Sequence, residues 1–596
     1  MKIKLSELDK RQRYFDIFTA TALLVFGVYH TIRYFGHQLV PISDFPLFVK
    51  TGHLLLSLKL PEDFKRVPVL GLLQASLSYL VKSPHADLTA GWLLNSILYP
   101  LNIILLWLVG RKIIGKAALP LAIIAAINPW VVYMQTEPIA ETALLFFMLL
   151  TFYFILRGSR WSYFFASITM MVRYEGAALI LAALVTDIIQ NKQAKERIKA
   201  IVYSSLAAMP LVLWMLGTLL KWRSQGMAHY LNVFTTDYEN LFGEPLAERT
   251  GIIRHMKLLW QMGFRPLLMP YPNAGAGFVN ALMLINKIIA TASFFFGCGY
   301  GLYKRQWKIP ALLCFFLPYF LLHARYPYPL HRYHIMTFWI ALFICFYGLE
   351  SGWNIIAGRY PIPRPVISGL LAVVTLSAFF WSFSLMPYLP RIAMRSPVSA
   401  HVPYAAMILV LVLFVGRIFI LNTTLLRNFS VLMLSSLLIV SNQFVLVQVV
   451  GNGQRDREFK LLAEWYSANA GGEKMSCYMF ETLGIFAPQY KDCFVGIPIA
   501  QSYQEFLQKC YDSKITYIVW ASREMFNQDT ENYKMNRLDN IAMLNKTQDV
   551  EPFQFITQIT THEGWINVFK LCGNDQEGSL KQNHELSYTT YSGGTK

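Results

Sequence analysis

The 596-residue chain is 55% hydrophobic and only 15% charged, with a formal net charge of +18. Soluble domains carry about a quarter charged residues, so this composition excludes a single soluble enzyme and points to repeated membrane-spanning helices. The cationic excess does not indicate nucleic acid, because most basic residues sit in short segments beside apolar runs, as cytoplasmic loops do.

In chain order, apolar runs predict spans at Tyr14–Tyr34 and at residues 89–110, 117–133 and 139–156. An interrupted pair follows at 162–172 and 176–189. Further spans are expected at 201–220, 278–303, 309–322, 335–349, 367–386, 405–420 and 431–450. That makes about thirteen passes for a hydrocarbon core near 30 Å. The basic stretch before Tyr14 precedes a run long enough to remain an anchor, so no cleaved signal is expected. Counting the interrupted pair as two passes puts Arg111-Lys112, Arg157/Arg160, Lys192–Lys199, Lys304-Arg305/Lys308 and Arg359/Arg364 on the side of the N-terminus. The positive-inside rule then makes the N-terminus cytoplasmic and the C-terminus extracytoplasmic.

Three segments are thereby expected outside: a first loop at 36–88, a second at 221–277, and everything after 451. Helical patterns at 458–468 and 503–511 alternate with strand patterns at 475–480, 515–520, Phe553–Thr560 and Trp565–Leu571. This predicts a small α/β layer domain over 451–576, followed by a polar tail at 577–596 expected to be disordered. Cys298, Cys314 and Cys345 lie in apolar runs. Cys477, Cys493, Cys510 and Cys572 lie in the outer domain, where an oxidising compartment leaves one or two disulfides open. No metal-type Cys spacing is present.

The candidate chemistry sits at the expected outer face. Asp44 is the one carboxylate of the stretch His37–Pro46 that opens the first loop, and about twenty residues on comes the basic segment Lys65-Arg66-Val67-Pro68. A carboxylate at the membrane–water boundary can act as general base, while adjacent cations can hold an anionic lipid headgroup. Asp44 also fits a helix-capping role. Glu137 and Glu141 lie one helical turn apart before a long apolar run. Glu137 suits a helix terminus, whereas an acid dipping toward lipid, as Glu141 does, suggests function. Arg173 and Glu175 interrupt an apolar stretch as a neutralising pair or as part of a site. The segment His323 to His334, with Arg325, His331 and Arg332, is cationic and aromatic on the face where cations are not expected. It suits phosphate contacts as well as interfacial anchoring. Arg254, His255, Lys257 and Arg265 are expected to form a solvated amphipathic segment.

Together these elements resemble the GT-C glycosyltransferases that use polyprenyl-phosphate sugars. The likeness is to the branch of the protein O-mannosyltransferases and the lipid A aminoarabinose transferase. Asp44 matches the family's first-loop acid, and Arg66-Val67-Pro68-Val69-Leu70 its basic stretch. Glu141 matches the acid opening the fourth helix. Arg173-Tyr174-Glu175-Gly176 matches its Arg-x-Glu-Gly element, and Arg332-Tyr333 its late Arg-Tyr.

The resemblance implies a polytopic α-helical GT-C-like domain at 1–450 with a C-terminal extracytoplasmic α/β domain, in a cytoplasmic membrane. It implies inverting transfer of one sugar from a polyprenyl-phosphate donor to a lipid, glycan or protein acceptor among membrane lipids, with no nucleic acid involved. Asp44 would be the base. Glu141, Arg173, Glu175, Lys65, Arg66, Arg325, His331 and Arg332 would bind substrate. No cofactor is fixed. A divalent metal stays open, although this chain has Asp44-Phe45 where many relatives carry the Asp-Glu on which a metal site would lean. A lipid-linked-sugar flippase and a glycan ligase are the rival classes. A flippase would favour internal repeats, and none is visible.

Overall fold

The computed structural model describes residues 2–35, 41, 44–61, 66–225, 252–264, 277–324, 331–359, 457–498, 500, 502–522, 538–561 and 564–572. The expected spans at 367–386, 405–420 and 431–450, most of the second outer loop and the tail lie outside these residues.

The chain begins with α1 (Lys2–Tyr34), then α2 (Asp44–Leu56) and α3 (Pro68–Ser78) in the first loop, and α4 (Ala86–Ile114). A 29-residue helix rises about 43 Å at 1.5 Å per residue, enough to cross a bilayer. Arg111, in the last turn of α4, pairs with Asp16 of α1 at 2.7 Å. The first-loop helices arise from ordinary local signals. Pro68 occupies the first turn of α3, where a missing N–H costs nothing. The close approach of α2 to α3 requires glycine at both contact points. A Cβ on Gly52 would stand 2.0 Å from the Gly71 carbonyl oxygen.

The expected span at 117–133 is two helices, α5 (Ala118–Ala126) and α6 (Pro129–Thr136), bent by 55°. The cause is local. Asn128 Oδ1 accepts from the backbone N–H of Trp130 and Val131, and Pro129 starts the new helix. Next come α7 (Ala140–Ile155), α8 (Trp161–Val172), a 3-10 turn at Tyr174–Ala177, α9 (Ala178–Gln190) and α10 (Ala194–Gln225). The interruption foreseen around Arg173 is therefore a helix break. After α11 (Ile252–Leu259) and a π turn at Trp260–Phe264 come α12 (Gly277–Tyr303), α13 (Lys308–Ala324), α14 (His331–Ile335) and α15 (Phe338–Arg359).

Among the described residues, four helical segments are long and apolar enough to cross a membrane: Tyr14–Tyr34, Ala86–Ile114, Ala194–Gly217 and Phe338–Ile356. The bent α5–α6 pair makes a fifth if it is one span. Shorter apolar helices, including α7, α8 and α13, pack among them. Phe152 of α7 lies edge-on to Phe315 of α13 at 5.7 Å and to Trp339 of α15 at 5.5 Å, all within the main buried core.

The C-terminal domain comprises α16 (Arg457–Asn469), β1 (Lys474–Ser476), α17 (Phe480–Phe486), β2 (Phe494–Val495), α18 (Tyr503–Asp512), β3 (Ile515–Ala521), β4 (Phe553–Thr560) and β5 (Trp565–Leu571). Its five strands run in the order β2-β1-β3-β5-β4. β1 pairs in parallel with β2 and β3, while β5 lies antiparallel between β3 and β4. The α/β layer reading holds, but the strand expected at 475–480 ends at Ser476. The chain then turns into α17, whose Leu483 is fully buried in the domain core. No disulfide joins any of the seven cysteines. The domain rests on the first loop through α17. Ile485 and Phe486 pack against the small core of Phe45, Val49, Leu88 and Ile139, and the Ile485 carbonyl oxygen lies 3.2 Å from His85 Nδ1.

Candidate active site

Beside that small core, a cavity of about 180 Å³ is lined by residues from the first loop, the start of α7, the Arg173 turn and α14. Each contributor is fixed by its place at a helix end and by contacts from neighbouring elements. Asp44 is the first residue of α2, and Arg66 stands two residues before α3, just ahead of its N-cap Val67. The loop leading to Glu141 is tied down by buried amides. Gln74 Nε2 donates to the Pro138 carbonyl at 2.7 Å, and Asn95 Nδ2 donates to the carbonyls of Gln135 and Glu137. Glu141 then opens α7, where a carboxylate is also favoured by the helix dipole. Gly176 lets the 3-10 turn fold back on α8. A Cβ there would lie 2.6 Å from the Met170 nitrogen.

The six charged side chains form two joined tiers. In the outer tier, Asp44 is gripped on both oxygens: Arg66 Nη2 lies 2.6 Å from Oδ1 and Arg332 Nη1 lies 2.7 Å from Oδ2. In the inner tier, Arg173 donates to Glu141 Oε1 at 2.8 Å and forks onto Glu175 at 2.9 and 3.2 Å. Arg332 Nε, 3.9 Å from Glu141 Oε1, links the tiers. The tiers differ in access. The Asp44, Arg66 and Arg332 side chains are each about a fifth exposed, whereas Glu141 is 1% and Glu175 4% exposed. Tyr333 sits beneath Arg173 and Arg332, whose guanidinium carbons lie 5.1 and 5.3 Å from its ring centre. His323 stacks on the same ring at 4.5 Å and lies 3.4 Å from Glu175.

The electrostatics are set by pairing. Burial alone would raise the Asp44 carboxyl, but the Arg332 and Arg66 guanidiniums outweigh it and hold the group well below the usual carboxylate range. The cations that meet Asp44, Glu141 and Glu175 are guanidiniums. Among the described residues no group of three His, Cys, Asp or Glu side chains is arranged to hold a metal. The described carboxylates, each already met by a guanidinium, therefore do not fit a divalent ion.

Of the residues singled out in the sequence, Asp44, Glu141, Arg173, Glu175, Arg66 and Arg332 are brought together. Lys65 and Arg325 lie outside the described residues. His331 is described only as the start of α14. Glu137 is buried at the end of α6 but does not line the cavity. His255, expected on a solvated face, is buried and hydrogen-bonded to His334. That amphipathic segment turns one imidazole inward, although Lys257 is exposed as expected. Sequence reasoning gave no separate role to Tyr333 as the shared face for two arginines or to Phe48 beneath Arg66 (5.4 Å). The one usable signal was the Arg-Tyr adjacency at 332–333.

No protein-family model and no curated protein matches the sequence. Among solved structures, the chain superposes on ArnT from Cupriavidus metallidurans bound to undecaprenyl phosphate with a TM-score of 0.51 at 11% identity, over 93% of this chain and 97% of that one. The same enzyme in its apo state gives 0.50 at 10% identity, over 94% and 98%. The apo Archaeoglobus fulgidus oligosaccharyltransferase gives 0.50 at 11% identity, over 88% and 71%. Both are GT-C superfamily members.

The chain has the GT-C fold. The GT-C architecture accounts for a helical membrane domain followed by a C-terminal domain with a sheet. The number of spans, expected to be about thirteen from run lengths, is not reached by the described helices.

Proposed function

We propose that this GT-C chain is an inverting glycosyltransferase that moves one sugar from a polyprenyl-phosphate donor to a lipid, glycan or protein acceptor on the outer face of the cytoplasmic membrane. The observation that carries the reading is the Asp44 carboxylate held between Arg66 and Arg332 in a cavity beside the outer domain. A base and two cations within one site are the parts that transfer from a lipid phosphate requires. The ArnT neighbour was crystallised with undecaprenyl phosphate, which supports an isoprenoid phosphate as the ligand class.

In the proposed step, an acceptor O–H or N–H attacks the anomeric carbon as the bond from that carbon to the phosphate oxygen breaks. The acceptor proton goes to Asp44, and the electron pair of the broken bond leaves on the lipid phosphate. Arg66 and Arg332 stabilise the second negative charge that develops there, the kind of preorganised electrostatic contribution that is usually the largest in catalysis. Arg173, fully committed to Glu141 and Glu175, orients the inner wall.

The test is transfer of a radiolabelled sugar from polyprenyl-phosphate donors to membrane extracts by the purified full chain in nanodiscs. Asp44→Asn is expected to lower turnover by about 10²–10⁴-fold, the usual worth of a positioned base, with the protein still folded. Turnover near wild type in folded Asp44→Asn protein would sink the assignment.

A further inference from the structure

The two arginines best placed to receive a phosphate are the two already spent on Asp44. Arg173 is no substitute, since it holds two carboxylates deeper in the wall and its side chain is only 12% exposed. Within the cavity, three guanidiniums face three carboxylates, so the described charges cancel. An incoming phosphate therefore meets cations that already have anionic partners.

We infer that the donor phosphate and Asp44 compete for Arg66 and Arg332, so that lipid-phosphate binding draws these guanidiniums off the carboxylate and thereby releases Asp44 as the base. The inference rests on the donor reading above and adds to it an order of events: no phosphate, no base. Three features support the exchange. Both arginines lie in the more accessible tier, each about a fifth exposed. Each keeps a buried Nε without a hydrogen-bond partner among the described residues, so each has donor capacity that a multi-oxygen anion can use. Finally, Arg332 would not be lost from the site on leaving Asp44. Glu141 stands 3.9 Å from its Nε, and the Tyr333 ring packs against its guanidinium.

The chemistry follows from charge. A carboxylate paired with two guanidiniums is a poor proton acceptor, and one that has lost them is a better one. The donor is a phosphodiester with one negative charge, whereas the lipid product is a monoester that can carry two. The product should therefore hold the arginines more firmly than the donor, until it leaves and Asp44 pairs again. The idle site is a closed ion pair, with its base quenched until a lipid phosphate arrives.

The experiment is equilibrium binding of undecaprenyl monophosphate to the purified full chain in nanodiscs of neutral lipid, alongside the transfer assay. Competition predicts that removing the carboxylate tightens binding. Asp44→Asn should bind at least about five-fold more tightly than wild type, the order expected when a charge-assisted rival contact is deleted. The gain should disappear in an Arg66→Ala/Arg332→Ala background. Asp44→Ser provides a second neutral variant should the amide fail to fold. Wild-type binding and transfer with unchanged or weaker binding in the folded neutral variants would overturn the competition and leave the donor reading standing. Failure of the wild type both to bind the monophosphate and to transfer sugar would overturn the donor reading, and the competition with it.

Discussion

Arg173 joins two buried glutamates through three nitrogens: Nη1 to Glu141 at 2.8 Å, and Nη2 and Nε to Glu175 at 2.9 and 3.2 Å. One guanidinium thus ties the start of α7 to the break between α8 and α9. Removing it leaves two carboxylates facing each other out of water. Arg173→Ala is expected to cost about 3–5 kcal/mol, the usual penalty for breaking a buried charge pair from one side. Arg173→Lys should recover only part of this, because an ammonium cannot fork onto Glu175. Thermal inactivation of the purified variants in one detergent checks both. Wild-type half-lives for Arg173→Ala would refute the structural role.

The pH dependence of transfer follows from the grip on Asp44. Its folded-state pKa lies below its ordinary value, lowered by Arg332 and Arg66 against the effect of burial. The stabilisation this represents is present above the ordinary value, near 3.9, and is lost as pH falls through the folded one. Across about pH 5–8, protonation of Asp44 in the free protein should not limit kcat/KM. Arg332→Ala removes one of the depressing charges and should move any acidic limb upward. A kcat/KM profile in which wild type loses activity near pH 6 with the limb unmoved by Arg332→Ala would separate that limb from Asp44.

Gly176 supplies a backbone test that touches no charge. Its missing Cβ would stand 2.6 Å from the Met170 nitrogen and 2.6 Å from the Thr169 carbonyl carbon. Gly176→Ala must therefore push the 3-10 turn away from α8 and carry Glu175 with it. Transfer is expected to fall by about tenfold or more, since small misplacements at a site are costly. Gly299→Ala, with nothing within 4 Å of its added methyl, is the matched control and should retain activity. Equal activity of the two variants would show that the turn tolerates the shift.

The proposed orientation predicts that the outer domain faces away from the cytoplasm. Ser587→Cys in the tail should react with an impermeant thiol reagent in intact cells, in a background lacking the native cysteines. Gln193→Cys, in the basic segment between α9 and α10, should react only after permeabilisation, as the positive-inside rule requires. The reverse pattern would invert the topology and remove Asp44 from the proposed acceptor face.

Much of the architecture was legible locally. Apolar runs marked the long apolar helices of the described residues, because in lipid a helix must satisfy its own backbone and be apolar along its length. The strand pair Phe553–Thr560 and Trp565–Leu571 was bounded correctly by its alternation and flanking polar residues. The bend at Asn128 was missed although its signal, Asn before Pro, was present. Apolar content runs straight through it, and a hydropathy reading averages over a cap.

The cluster itself was only half legible. Sequence order and the expected sidedness grouped Asp44, Arg66, Glu141, Arg173, Glu175 and Arg332 as residues of one face. They could not say which acid met which arginine. That pairing depends on where α3, α7 and α14 end relative to one another. These ends are fixed by long-range contacts such as Gln74 to the Pro138 carbonyl, the Gly52–Gly71 crossing, and the Tyr333 face shared by two guanidiniums. Partner choice among charges varies with distance in a low-dielectric wall, and only the tertiary structure sets those distances. It decided that Arg332, from late in the chain, reaches Asp44 in the first loop, so that the candidate base and the candidate phosphate ligand begin as each other's partner.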